Sequence, residues 1–484
     1  MRTATAAVAM MMLGALILRV WLGRGLPLWL DESWTGMIAT QPDMASFWRE
    51  AWLDCNPPLY YGLMALWTGV AGASDIALRL PSLAFVTLAA ALPLGWRVPG
   101  LTPAARIGWA LLLALWAPGF ELAVDARGYG LLLFLSVAQM LAFIGLMAAP
   151  GRGCATLWAS LAALAGLTHY HALLIGGLQG LALLWHHRAA AVRLWPAAIA
   201  FAPCFGWLAL HAPRLADYAR PDIAWYEPMT PGLAAGFVRY GFGVPSNWGA
   251  LALLALMLAL PLMARTRARL SAAQPNFWHL AAALSLIGLG AELGLSTLKP
   301  MLTDRYLVSL APGLLLGLVL AAQRWGKGTI GLVALVALYA AMLNPLALRA
   351  KLEAKTRYGF AEASAFLADS GATRLVFIWD HPAARILDPG SLAKLGGFFL
   401  RRDGHPLPVT PAVLLPGSQS NRALRARTGD RAAIIWVYNR ARISAARTHP
   451  PVPQLWPGRR CFWSHSRWVG TFACGPVRNP SPSR

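Results

Sequence analysis

The sequence predicts an all-α polytopic membrane protein with about eleven transmembrane helices, juxtamembrane helices in its first outer loop and a small C-terminal soluble α/β domain. Three observations carry this. The chain is 57% hydrophobic and only 13% charged, with a mean hydropathy of +0.51, about half the charge of a soluble globular chain. The missing charge is absent from a series of apolar runs before Leu348 and returns after it. The loop charges also sort by sign, basic on one side and acidic on the other.

The apolar runs are 4–22, 80–96, 107–122, 130–149, 155–167, 172–185, 194–210, 249–264, 277–298, 307–322 and 329–348. Some are shorter than the ~20 residues of an ideal span. The first is preceded by a single arginine and is followed by no small-residue cleavage site. It reads as an uncleaved helix, not a removed signal peptide.

The stretch 57–73 either spans or lies flat at the surface, and orientation decides between these. If it lies flat and the first helix exits the cytoplasm, the cytoplasmic loops contain Arg97, Arg106, Arg152, Arg188, Arg193, Arg265, Arg267, Arg269, Arg324 and Lys327, without an acid among them. The opposite loops then hold Asp31, Glu32, Asp125, Asp217, Asp222, Glu227 and Asp304. This is the positive-inside distribution, so 57–73 is expected to be a surface helix. Residues 1–348 form the expected transmembrane domain and 349–484 a soluble outer-face domain. There, 361–369 reads as helix and 375–379 and 432–438 as short strands.

A net charge of +22 would suggest nucleic acid in a soluble chain. Here loop arginines set orientation and a basic tail faces anionic headgroups, so membrane lipids are expected partners and nucleic acid is not. Five cysteines are too few for a disulfide framework. Cys461 and Cys474 pair if the tail lies in an oxidising compartment. No Cys/His cluster has zinc spacing.

Five outer segments carry candidate chemistry, and each also admits a plain structural reading. Asp31 and Glu32 just outside the first helix read as a general base and its neighbour, or as a helix cap formed by Asp31 or Ser33. Asn56-Pro57-Pro58-Leu59-Tyr60-Tyr61 opens a helix and supplies interfacial aromatics. Asp125-Ala126-Arg127-Gly128-Tyr129 forms a site rim or a loop salt bridge. His169-Tyr170-His171 binds a sugar or phosphate or is inert. Lys299 to Tyr306 places Lys299 and Arg305 around Asp304 at headgroup height, where cations hold phosphate. Arg79 lies on the same side, as phosphate ligand or interfacial anchor. The agreement of five loops on one face points to one composite cleft against the outer leaflet.

Together these residues resemble the polytopic GT-C glycosyltransferases that use polyprenyl-phosphate sugars, and in particular the bacterial relatives of the protein O-mannosyltransferases, which include lipid A aminoarabinose and galacturonosyl transferases. The similarity rests on Asp31-Glu32, Pro57-Pro58-Leu59-Tyr60, Arg79-Leu80-Pro81-Ser82, Arg127-Gly128-Tyr129, His169-Tyr170 and Arg305-Tyr306-Leu307, and covers 1–348.

The resemblance implies an inverting sugar transfer at the outer face of a bacterial inner membrane, to a glycan, lipid or protein acceptor, without cofactor or metal. It implies Asp31 as base and Glu32 as its support. Lys299 and Arg305, with Arg79 or Arg127, would hold the leaving phosphate, and Asp125, Tyr129, His169 and His171 would line the site. One departure stands out: some aminoarabinose transferases carry Glu-Lys before the Pro-Pro element, where this chain has Cys55-Asn56. A lysine phosphate ligand is missing there, which argues against aminoarabinose as the sugar. The competing class is a transporter or flippase for a lipid-linked substrate, but the polar residues sit at loop ends and no internal repeat is present.

Overall fold

The computed structural model describes residues 2–221, 223, 226–267, 277–324, 328–380, 386–414, 431–439, 456–466 and 469–476. Asp222, Arg269 and Lys327 of the orientation argument lie outside these residues.

Helix α1 (Arg2–Gly23) is followed by three helices of the first outer loop: α2 (Leu30–Ala39), α3 (Met44–Leu53) and α4 (Leu59–Ala71). The next run is α5 (Asp75–Gly95), α6 (Pro103–Leu115), α7 (Ala117–Ala123), α8 (Tyr129–Ala148), α9 (Arg152–Thr168), α10 (Ala172–His187) and the short α11 (Ala189–Val192). After these come α12 (Ala202–Tyr218), α13 (Pro231–Phe242), α14 (Asn247–Arg267), α15 (Phe277–Leu298), α16 (Ala311–Arg324), α17 (Thr329–Met342) and α18 (Pro345–Thr356).

Each predicted apolar run coincides with helix, but not each with a full span. Among the described residues five helices are long and apolar enough to cross a bilayer: Ala6–Gly23, Asp75–Gly95, Tyr129–Ala148, Trp195–Tyr218 and Phe277–Leu298. Counting two bent pairs, α13 with α14 (70°) and α17 with α18 (48°), gives seven. The expected eleven therefore includes shorter pieces such as α6 and α16, because hydropathy does not register a break inside an apolar run. α13 lies in what the sequence suggested was an outer loop. α4, the ambiguous stretch, has 13 residues, about 20 Å of helix, short of a ~30 Å hydrocarbon core.

The breaks are repaired by arginines. Pro118 lacks an N–H, so the carbonyl of Ala114, four residues earlier, loses its helical donor. Arg19, only 1% exposed, donates to that carbonyl at 2.8 Å and lies over the Phe120 ring. Arg106 donates to the carbonyls of Pro93 and Leu94 at the end of α5, and Arg349 to those of Leu22 and Arg24 at the end of α1. Each cation meets unpaired carbonyls at a helix C-terminus, where the dipole also favours it.

Beyond α18, helix α19 (Phe360–Ala368) and strands β1 (Arg374–Asp380), β2 (Val409–Val413), β3 (Ala432–Asn439), β4 (Arg460–His465) and β5 (Val469–Gly475) build a five-stranded sheet of order β2-β1-β3-β5-β4. β1 is parallel to β2 and β3, whereas β5 is antiparallel to β3 and β4. Cys461 and Cys474 face each other across β4 and β5 and form a disulfide. Helices α20 (Pro389–Gly396) and α21 (Phe398–Arg402) dock the sheet on the end that carries Asp31. The basic tail meets acids there. Lys394–Glu50 (2.6 Å), Arg402–Asp75 (2.5 Å), Lys351–Glu121 (2.7 Å) and Lys355–Asp125 (2.9 Å) all place a tail cation on a first-half carboxylate, and Arg49–Asp388 (2.7 Å) runs the other way. At Gly36 a Cβ would stand 2.5 Å from the Phe398 ring, so the close approach of α21 to α2 requires glycine.

Candidate active site

α2 begins immediately after Trp29, which puts Asp31 and Glu32 in its first turn, where the helix dipole favours acids. The two carboxylates have opposite fates. Glu32 is buried and accepts four donors: Arg79 through Nε (2.7 Å) and Nη2 (2.5 Å), the Trp29 N–H (3.0 Å) and the Ala126 N–H (2.8 Å). It caps α2, rather than Asp31 or Ser33, and ties it to α5 and the loop before α8. A carboxylate with all its lone-pair positions taken does not accept a proton from substrate. Arg79 is likewise committed, donating also to the carbonyls of Leu26 and Pro27. The structure thus places Arg79 as the partner of Glu32 and not at the cleft.

Asp31 turns into a cleft of about 270 Å³. Its Oδ2 stands 3.0 Å from Arg305 Nη2. Arg305 follows α15 through a short 3-10 turn, Asp304–Ser309, and its guanidinium lies 5.5 Å from the centres of both the Trp29 and Tyr129 rings. Burial works against its charge, but Tyr129 and Asp31 outweigh burial and hold its pKa above the ordinary arginine value. Its Nε is buried and has no hydrogen-bond partner among the described residues. Arg127 donates to the Asp31 carbonyl (3.2 Å) and to the Tyr61 hydroxyl (3.4 Å) and lines the same cleft.

Asp125 does not line the cleft; it orients Trp29 by accepting its indole N–H (3.0 Å) and pairs with Lys355, whose ammonium lies over the Trp29 ring. Burial would raise the Asp125 carboxyl, but Lys355 and the Trp29 bond outweigh it and hold it below the usual carboxylate range. His169 is buried against Tyr129 and Tyr306. Burial, with His171, Arg305 and Arg127 nearby, lowers its pKa well below that of free imidazole, so it is neutral. His171 stacks on Tyr306 and bonds both Glu292 oxygens at 2.9 Å. Lys299 is exposed at the end of α15, and the structure does not bring it to the cleft.

The site therefore gathers Asp31, Arg127, Tyr129 and Arg305, with His169 and His171 packed behind Tyr306. Sequence reasoning missed several residues. Asp54 lines the cleft and holds Tyr61 (2.9 Å) and Asn56. Arg214 lines it while tying α12 to the carbonyls of Leu53 and Ile386. Glu292 was legible, as an acid inside an apolar span.

No protein-family model matches the chain, and no curated protein matches it significantly in sequence. Solved structures do match in shape. The crystal structure of ArnT from Cupriavidus metallidurans in the apo state aligns with a TM-score of 0.57, over 97% of this chain and 98% of that one, at 15% identity. This chain has the GT-C fold of ArnT. The same ArnT bound to undecaprenyl phosphate aligns equally, with a TM-score of 0.57 and the same coverage at 14% identity. Alignment over nearly the full length of both chains means that the likeness to ArnT includes the C-terminal sheet as well as the helices.

Proposed function

We propose that this chain is an inverting glycosyltransferase that moves a sugar from a polyprenyl-phosphate donor to an acceptor at the outer face of a bacterial inner membrane. The observation that carries the reading is the Asp31–Arg305 pair in one cleft: a carboxylate suited to take a proton and a cation suited to take a phosphate, side by side. The ArnT structure with undecaprenyl phosphate supports a polyprenyl-phosphate ligand. Outward placement is supported by the loop charges and by the Cys461–Cys474 disulfide. Residues 1–348 then form the transmembrane catalytic domain and 349–484 the outer-face domain.

In this mechanism the donor phosphate enters beside Arg305 and Arg127 and competes with Asp31 for the Arg305 guanidinium, releasing Asp31. The acceptor hydroxyl attacks the anomeric carbon from the face opposite the phosphate. Its proton passes to Asp31, the carbon–oxygen bond to phosphate breaks, and the electron pair leaves on polyprenyl phosphate. Positioned cations stabilise that growing charge, a term of about 3–4 kcal/mol per donor in comparable sites. Glu32, Arg79 and Asp125 hold α2 and Trp29 in place; they do not touch substrate.

The test is a panel of polyprenyl-phosphate monosaccharides offered to the purified protein, with polyprenyl phosphate release measured. Acceptor-dependent release from at least one donor is expected. No release from any donor, together with movement of lipid-linked sugar across vesicles, would move the assignment to a transporter.

A further inference from the structure

The cleft has two unlike walls. The membrane-side wall carries Asp31, Arg127 and Arg305. A second wall comes from the C-terminal domain, through Trp379, Leu387, Asp388 and Ser391, and is joined to the first loop by Glu50, which bonds Ser391; Asp54 of that loop links the two walls through the Tyr61 hydroxyl that Arg127 also bonds. Resting on the glycosyltransferase reading, we propose that this second wall is the acceptor subsite and that it takes an uncharged sugar unit stacked on Trp34.

The wall is a built part of the site and not a loosely tethered appendage. The Glu50 side chain, 1% exposed, bonds Lys394 Nζ at 2.6 Å and Ser391 Oγ at 2.5 Å, and Arg49 pairs with Asp388 at 2.7 Å. These polar groups lock α20 to α3 directly at the cleft edge.

Trp34 lies one helical turn after Asp31 on α2, so the two share a face. Its ring meets that of Trp379 edge-on, with centroids 6.4 Å apart and planes at 85°. Trp379 is 4% exposed and serves as the brace, whereas Trp34 remains half-buried and lines the cleft. A rigid aromatic face beside the base is suited to the C–H face of a sugar ring, which it desolvates without demanding hydrogen bonds.

The acids complete the selection. Among the described residues Asp54 engages only its Oδ1, with Tyr61 and Asn56, and Asp388 only its Oδ2, with Arg49 and Ser391. Each keeps one carboxylate oxygen for hydroxyl donors. The cations of this wall are already engaged, Arg49 by Asp388 and Lys394 by Glu50, so they do not hold an acceptor unit that carries a carboxylate or phosphate. A donor whose phosphate is held by Arg127 and Arg305 occupies the far side, so the hydroxyl presented to Asp31 comes from this wall.

The experiment measures acceptor and donor KM for wild type, Trp34→Ala, Trp34→Phe and Asp54→Asn with neutral, uronate-bearing and peptide acceptors. Trp34→Ala is expected to raise the acceptor KM by about tenfold, the worth of one aromatic stack, with donor KM unchanged and most of the loss restored in Trp34→Phe. Asp54→Asn should narrow the preference for neutral over uronate acceptors. Equal rises in donor and acceptor KM, or a preference for uronate or peptide, would overturn the proposal. Saturation-transfer NMR with a neutral oligosaccharide reads the subsite independently of turnover. A saturation signal present with wild type and abolished by Trp34→Ala supports the subsite even where no transfer occurs and the enzymatic reading fails; no signal with wild type refutes it.

Discussion

Replacing Arg79 by leucine discriminates between two roles for this residue. As a phosphate ligand, Arg79 could be removed without damage to the fold. In the structure it supplies two of the four donors to a buried Glu32 and also bonds the Leu26 and Pro27 carbonyls. Removing one partner of a buried pair leaves an uncompensated charge and costs about 3–5 kcal/mol. The two orphaned carbonyls add to that, about 1–3 kcal/mol each where water does not reach them. Arg79→Leu is therefore expected to lower the unfolding temperature of the detergent-solubilised protein by many degrees. The double variant Arg79→Leu with Glu32→Gln removes the stranded charge and should recover part of the loss. Thermal unfolding measured beside donor binding decides the matter. An Arg79→Leu protein as stable as wild type but weak in donor binding would refute the assignment and return Arg79 to the phosphate.

Other perturbations follow from the same geometry. Arg305→Gln should keep the fold and cut transfer by about 10²–10³, the typical loss of one charge-stabilising donor, read as kcat with unchanged unfolding temperature. Arg19→Met should destabilise by about 1–3 kcal/mol, because it leaves the Ala114 carbonyl unpaired behind Pro118; an unchanged unfolding temperature would contradict the repair. Asp125 has its folded pKa held below the ordinary 3.8. Its contribution is complete above that value and is lost as pH falls through it toward the lower folded value, so Asp125→Asn should flatten the acid limb of the stability–pH curve below about pH 4 and leave the neutral region merely lower. Reduction of Cys461–Cys474, a separation of 13 residues, should lower the stability of the C-terminal sheet by about 3 kcal/mol in a thermal scan with and without reductant.

Much of this architecture was written in local sequence. Apolar runs, loop-charge alternation and the returning charge after Leu348 report solvent environment residue by residue, so membrane helices and a polar tail were legible. So were the strands 375–379 and 432–438, which lie within β1 and β3. Span number was less so, because Pro118 and the Leu343–Asn344–Pro345 break interrupt helices without interrupting hydropathy. At the site, Asp31, Arg127 and Arg305 were foreseeable as charges at one membrane face. The pairing was not. Nothing local says that Glu32 faces Arg79 while its neighbour Asp31 faces Arg305, since adjacent residues on a helix point about 100° apart and the partners come from segments 47 and 274 residues away, by subtraction of their numbers. Lys299 illustrates the converse: it shares a loop with Arg305 yet stays at the surface, because only the turn after it enters the cleft. The C-terminal contribution through Trp379 and Ser391 depends wholly on docking and left no sequence signal.

The proposed transfer rests most directly on Asp31. Single-turnover transfer from a labelled polyprenyl-phosphate sugar, compared between wild type and Asp31→Asn at matched folding, measures the proton-transfer role alone. Transfer by wild type and a loss of about 10²–10⁴ in the variant are expected, the range of a general base, with donor binding retained or tightened once Arg305 is released from its ion pair. Equal rates for the two proteins would contradict the proton-transfer role.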